Sequence, residues 1–309
     1  MTGAAGDGRA DSWLHASTAA AADLLFMGAP TAALSLSPSR ADTTPAELRR
    51  VLRRFPLWDA ETEVALATVR CHDAGDIDMA GDPVAARERL AEAVAGVVGR
   101  DSAPALAICG GDNSITAAAV TGLARGLGVA LDSGAVGLVT IDAHHDMRDP
   151  SPRPNNGSPV AELLAAGLPG RCIAQVGISR FGNQEELGER ARAAGVRVFD
   201  TAAIARDGIG ALMDDALSMV AAQHIYLDVD LDVLDRAFAP ACPASMPGGL
   251  TPRELLDAVG RAAFDRRVVA MDLVEVDAAA DVADITLRMA GSVLLVFAAG
   301  LARRRRPEA

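Results

Sequence analysis

Short apolar runs rich in β-branched residues alternate with alanine-rich stretches along almost the whole chain. Runs at 23–27, 67–71, 105–109, 136–141, 172–178, 196–199, 224–229 and 268–274 read as strands, bounded by glycine, proline and polar residues. Stretches at 82–98, 114–126, 183–194 and 252–263 have helical composition. Such strand–helix alternation implies a parallel sheet with helices on both faces. Glycine and proline gather after the strands, in GGDN (110–113), RPNNGSP (153–159) and APACPASMPGG (239–249). Open α/β sheets bind ligands in loops at that edge. No linker or internal repeat divides the 309 residues, so one domain over 21–303 is expected, after a flexible leader (1–20) and before a basic tail (304–309).

Composition narrows the function classes. Half of the chain is hydrophobic, enough for a large core, while 41 acids against 29 bases leave a net charge of −12. All the bases are arginine. This acidity, with 3% aromatics, argues against a nucleic-acid surface. The four cysteines stand far apart without a CxxC pair, as expected of buried free thiols. The opening residues lack a signal-peptide pattern, and the apolar run at 289–301 is too short to span a bilayer. The expectation is a soluble cytoplasmic protein with no membrane partner. The arginines at 303–306 read as a solvated helix end.

The acids are not evenly spread. Three clusters lie at strand ends: Asp142-Ala143-His144-His145-Asp146, Asp228-Val229-Asp230-Leu231-Asp232-Val233-Leu234-Asp235 and Asp272-Leu273-Val274-Glu275. If extended, the first puts Asp142, His144 and Asp146 on one face and His145 on the other; the second aligns Asp228, Asp230 and Asp232. A solitary Asp-x-Asp is ordinarily a turn or helix cap. Three clusters together are different, because adjacent buried carboxylates are costly unless cations neutralise them. With no lysine in the chain and few arginines beside the first two clusters, divalent ions are the simplest solution. A mixed carboxylate–imidazole set suits manganese. The residues alone therefore point to a metal-dependent hydrolase, with two metals sharing bridging carboxylates.

In order and content, GGDN, DAHHD, DLDVLD and DLVEVD resemble the motifs of the ureohydrolase family, which contains arginase, agmatinase, guanidino-acid hydrolases and formimidoylglutamase. Gly28-Ala29-Pro30 and the Asp73-Ala74-Gly75-Asp76 turn extend the likeness over nearly the whole chain. The resemblance implies a three-layer α/β/α arginase-like fold with about eight mostly parallel strands, two Mn²⁺ ions and a homo-oligomer, trimer or hexamer. It makes Asp142 and Asp230 the bridging ligands, places His144 and Asp232 on one metal and Asp146 on the other, and gives Asp228 and Asp235 supporting roles. Glu275 matches the carboxylate that holds a planar amidine or guanidine, with Asp272 behind it.

Two departures bear on activity. The family's GGDH histidine is Asn113 here, able to ligate only through a neutral carbonyl, so one metal site is expected to be weakened; His145 is the alternative ligand. Asn156-Gly157-Ser158-Pro159 stands where arginases carry a histidine and is closer to the formimidoylglutamase pattern, as is Arg148. The expected substrate is thus a linear amidine or guanidine, first N-formimino-L-glutamate, hydrolysed to glutamate and formamide. Asp146 and Glu275 would be catalytic, and Asn156, Ser158, Arg148 and Glu275 would bind substrate. Agmatine, arginine or another guanidino compound is the alternative. From a different class, Asn113 and Asn156 together also suit an arginase-fold binding or regulatory protein with impaired catalysis.

Overall fold

The computed structural model describes residues 8–98 and 103–305. Its centre is a sheet of strands β1 (Leu24–Ala29), β2 (Cys71–Asp76), β3 (Ala105–Gly110), β4 (Val136–Ile141), β5 (Ile173–Ile178), β6 (Arg197–Asp200), β7 (His224–Asp230) and β8 (Val268–Val274). All eight are parallel, in the order β2-β1-β3-β8-β7-β4-β5-β6. Helices α1 (Thr44–Leu52), α2 (Pro83–Val98), α3 (Ile115–Gly126), α4 (Pro159–Ala165), α5 (Glu185–Ala193), α6 (Thr201–Asp207), α7 (Ile209–Met219), α8 (Pro252–Phe264) and α9 (Ile285–Arg303) cover both faces. This is the three-layer α/β/α arrangement that the alternation implies.

Strand periodicity divides the core. Leu24 and Phe26 of β1, Val139 and Ile141 of β4, and Ile225, Leu227 and Val229 of β7 pack into one layer with α1, α7, α8 and α9. Leu25, Met27, Val136, Leu138 and Tyr226 enter the other, against α2, α3 and α4. Asp228 and Asp230 continue the Tyr226 face of β7. The register sets Asp228 opposite Asp272 of β8 on one side and Thr140 of β4 on the other. Parallel pairing thereby stacks the ends of three strands, and with them their acids, at the carboxyl edge. A capping box starts α8, with Thr251 and Glu254 each accepting the other's backbone N–H.

Four sequence expectations need correction. The strand expected at 67–71 is instead β2, because Leu66–Thr68 forms a 3₁₀ turn. As an edge strand β2 has polar, partly exposed positions, and hydrophobicity does not mark it. The leader is packed from residue 10: Trp13 and Leu14 are buried, and Trp13 Nε1 donates to Val69 O at 2.8 Å. Residues 1–7 lie outside the described residues, as does the tail from 306. Of the expected basic tail (304–309), Arg304 donates to Ala263 O and Val268 O and Arg305 pairs with Asp23, so both dock on the fold. Finally, α9 is longer than its apolar run; its 19 residues meet the length and composition for a membrane span, yet 78% of its apolar window is buried inside the protein. It is a core helix.

Candidate metal centre and active site

The DAHHD segment is not extended as alternation suggests. β4 ends at Ile141, and Asp142 Oδ1 accepts the His144 backbone N–H at 2.6 Å in a local turn. Asp146 then takes a left-handed conformation with φ of +52°. Ala161 N, in the first turn of α4, donates to Asp146 O and fastens it there. The turn, not the pleat, brings Asp142, His144 and Asp146 inward. His145 points away: its Nδ1 meets Gln175 Oε1 at 2.8 Å, its backbone N–H donates to Asn183, and it takes no part in the acid cluster.

Among the described residues, two sets of side chains present ligand atoms within 4.8 Å of one another: Asp142, His144 and Asp232, and Asp142, Asp146 and Asp228. Asp142 belongs to both and stands between them. Asp228, expected only to support, is in the second set. Asp230, expected to bridge, is buried alongside but in neither; its Oδ1 accepts the Asp232 N–H at 2.8 Å.

These carboxyls lie in a dry environment. Burial, reinforced by mutual repulsion, pushes Asp142, Asp146, Asp228 and Asp230 above their ordinary values. His144 lies 2.9 Å from Asp232 and 3.5 Å from Asp142. The Asp232 charge above all raises its imidazole to about 12, so in the metal-free chain this ring is the local cation. Even so, Asp142 Oδ2 and both oxygens of Asp228 are buried without a hydrogen-bond partner among the described residues. Orphaned oxygens beside an imidazole are the donor set of a hard-to-intermediate divalent ion, and manganese fits it.

The third cluster closes the site. Glu275 also has positive φ, +65°, and its backbone N–H donates to Gly111 O at 2.9 Å. Gly111 must be glycine: a Cβ there would lie 1.6 Å from Thr31 O. Glu275 Oε1 accepts from Asn113 N at 2.7 Å and Asn156 Nδ2 at 2.9 Å. Burial, then the nearby Asp112, still push its carboxyl up to about 8. Asp272 faces Thr116, whose Oγ1 lies 2.7 Å from both Asp272 Oδ2 and Asn113 Oδ1. Asn113 turns its amide nitrogen to Asp146 Oδ2 at 2.7 Å, not its carbonyl to a ligand position.

Among the expected substrate residues, Asn156 is at the site through Glu275. Ser158 is not: it is fully buried, and its hydroxyl serves Asn155 and Glu162 at the start of α4. Its place after a glycine turn and before a proline marks a helix start. Arg148 is exposed and packs over Gly157, next to Asn156. Asp235 orders the following loop by accepting from Ala237 N and Gly248 N. Sequence reasoning missed Thr116 and Gln175, buried polar residues that fix Asn113 and His145. Their only signal is a polar side chain in an otherwise apolar helix or strand. Trp58 lines a groove of about 1080 Å³ against α7, α8 and α9, with no member of the acidic cluster.

A parallel sheet with a carboxylate–imidazole centre at its carboxyl edge defines the class: an arginase-fold protein. The model of the Arginase family matches residues 22–299. The formimidoylglutamase of Halalkalibacterium halodurans is 33% identical over 89% of this chain and 86% of its own. The solved formimidoylglutamase of Bacillus subtilis superposes with a TM-score of 0.85 at 30% identity, covering 92% of this chain and 88% of that one. The Trypanosoma cruzi formiminoglutamase, solved with Mn²⁺, shares the fold at a TM-score of 0.87 and 23% identity, covering 98% of this chain and 100% of that one. The chain belongs to the arginase family.

Proposed function

We propose that this protein is a manganese-dependent formimidoylglutamase, which hydrolyses N-formimino-L-glutamate to L-glutamate and formamide. The observation that carries the reading is the 33% identity to a formimidoylglutamase over nearly the full length of both chains. As a member of its family it is a hydrolase of amidine C–N bonds. The relative with 30% identity named proclavaminate amidinohydrolase, from Streptomyces clavuligerus, covers less of this chain, 73%, and favours guanidine hydrolysis as the second reading.

Asp142, His144, Asp146, Asp228 and Asp232 would hold manganese, with Asp230 adjacent. Manganese there supplies Lewis acidity and offsets the charge of the acid cluster. The rest falls to the chain. Glu275, with Oε1 fixed by two N–H donors, leaves Oε2 for the amidine N–H groups of the substrate and aligns its carbon. Asp146, oriented by Asn113, accepts the proton of the attacking water and passes it to the nitrogen of glutamate as the C–N bond breaks. The asparagines at 113 and 156 thus hold the two acting acids, which speaks for a working enzyme over an impaired one.

Two carboxylates of the substrate call for cations. Arg148, Arg153 and Arg180 follow β4 and β5, are exposed, and have no carboxylate partner among the described residues. The working form is read as a cytoplasmic homo-oligomer, trimer or hexamer. Turnover of N-formimino-L-glutamate, agmatine, arginine and guanidino acids with added Mn²⁺ tests the assignment. Glutamate and formamide release supports it; urea release from a guanidine alone sinks it.

A further inference from the structure

The opposite, amino edge of the sheet holds a second cavity, of about 830 Å³. Asp23, Arg70, Ala105, His224 and Val269, at or within one residue of the starts of β1, β2, β3, β7 and β8, line it. Leu123 of α3 and Leu301 of α9 give it apolar walls.

Its charge runs against that of the chain. Among the described residues, Arg70, Arg266, Arg304 and Arg305 line it against one carboxylate, Asp23, which Arg70 and Arg305 share at 2.7 and 2.8 Å. Arg266 and Arg304 have no carboxylate partner in any ion pair among the described residues; Arg266 donates to Arg304 O, and Arg304 to Ala263 O and Val268 O. Burial, and the neighbouring Arg266 and Arg305, hold the Arg304 guanidinium down to about 10 despite Asp265. Four arginines against the one pocket carboxylate among the described residues, in a protein of net charge −12, favour an anion there.

We infer that this pocket binds a small organic phosphate monoester, its dianionic head on Arg266, Arg304 and Arg305 and its apolar body against Leu123 and Leu301. Guanidinium forks match tetrahedral oxyanions, and a dianion offsets the surplus better than a single carboxylate. The site is separate from the carboxyl-edge centre and does not depend on the substrate assigned to it.

Calorimetric titration of the manganese-loaded full chain with phenyl phosphate, sulfate and benzoate, against sodium chloride of equal ionic strength, tests this. The expected order is phenyl phosphate, then sulfate, then benzoate, with phenyl phosphate weakened at least about tenfold in the double variant Arg266→Ala/Arg305→Ala and turnover unchanged. No binding above the chloride control, or equal binding in the double variant, overturns the site. Should that variant fail to fold, crystals of the unaltered protein soaked in phenyl phosphate decide: phosphate between Arg266 and Arg304 supports it, and phosphate only elsewhere overturns it.

Discussion

Asn113 Nδ2 donates to Asp146 Oδ2 at 2.7 Å, while the Asn113 carbonyl faces Thr116 Oγ1. The residue standing at the position of a family metal ligand therefore orients an acid. Asn113→His would place an imidazole on the Asp142/Asp146/Asp228 set, and Mn²⁺ affinity measured by calorimetry should rise about tenfold or more. An unchanged affinity would remove position 113 from the centre.

Asp142 is common to both ligand sets. Asp142→Ala should abolish bound manganese and turnover together, read by elemental analysis. Asp228→Ala and Asp230→Ala discriminate the acids of β7. The geometry predicts loss of about one ion per chain in Asp228→Ala and a smaller effect in Asp230→Ala; the reverse result would restore Asp230 as the bridge.

Glu275→Gln keeps the shape but removes the charge facing an amidinium. Turnover should fall about 100-fold or more, with manganese content intact. Full turnover would exclude Glu275 as the substrate carboxylate.

The metal-free protein should lose stability as pH rises. Glu275 moves from an ordinary 4.5 up to about 8 in the folded chain, and Asp272 from 3.8 to about 6. Over those windows the folded chain binds protons that the unfolded chain has released, so stability is greatest below them and falls toward pH 8. Each proton held alone by the folded state makes the slope about 1.4 kcal/mol per pH unit, or about 2–4 °C in Tm. Thermal melts of chelator-treated protein between pH 5 and 8 check this; with manganese bound the slope should flatten.

Trp13 is 2% exposed and bonded to Val69. Trp13→Ala should lower stability by about 3–5 kcal/mol in chemical denaturation, with the metal centre's affinity unchanged in the folded fraction. A change below about 1 kcal/mol would return residues 10–14 to the role of a loose leader.

Interior strands were legible because burial on both faces leaves a predominantly apolar run, as at Val136–Ile141 and Val268–Val274, each with one polar residue, Thr140 and Asp272. The polar edge strand Cys71–Asp76 carries no such run, and its Asp73 and Asp76 are held by Arg49, a long-range pairing that no local pattern encodes. Residue types and motif order singled out Asp142, His144, Asp146, Asp232 and Glu275, which the fold brings together at one sheet edge. Which way they turn did not follow from alternation, because Asp146 and Glu275 leave the pleat through positive φ. The Ser158 hydroxyl is bonded at a helix start, and in sequence such a hydroxyl looks like one beside a substrate loop.

Those two left-handed residues decide how portable the centre is. Each conformation is disfavoured by about 1–3 kcal/mol for a residue with a side chain, and each is secured by a remote backbone contact: Asp146 O by Ala161 N, Glu275 N by Gly111 O. Copying the DAHHD and DLVEVD segments onto another sheet would reproduce the side chains and lose the bends. The smallest transplantable unit includes the first turn of α4 and the close passage of Gly111 past Thr31.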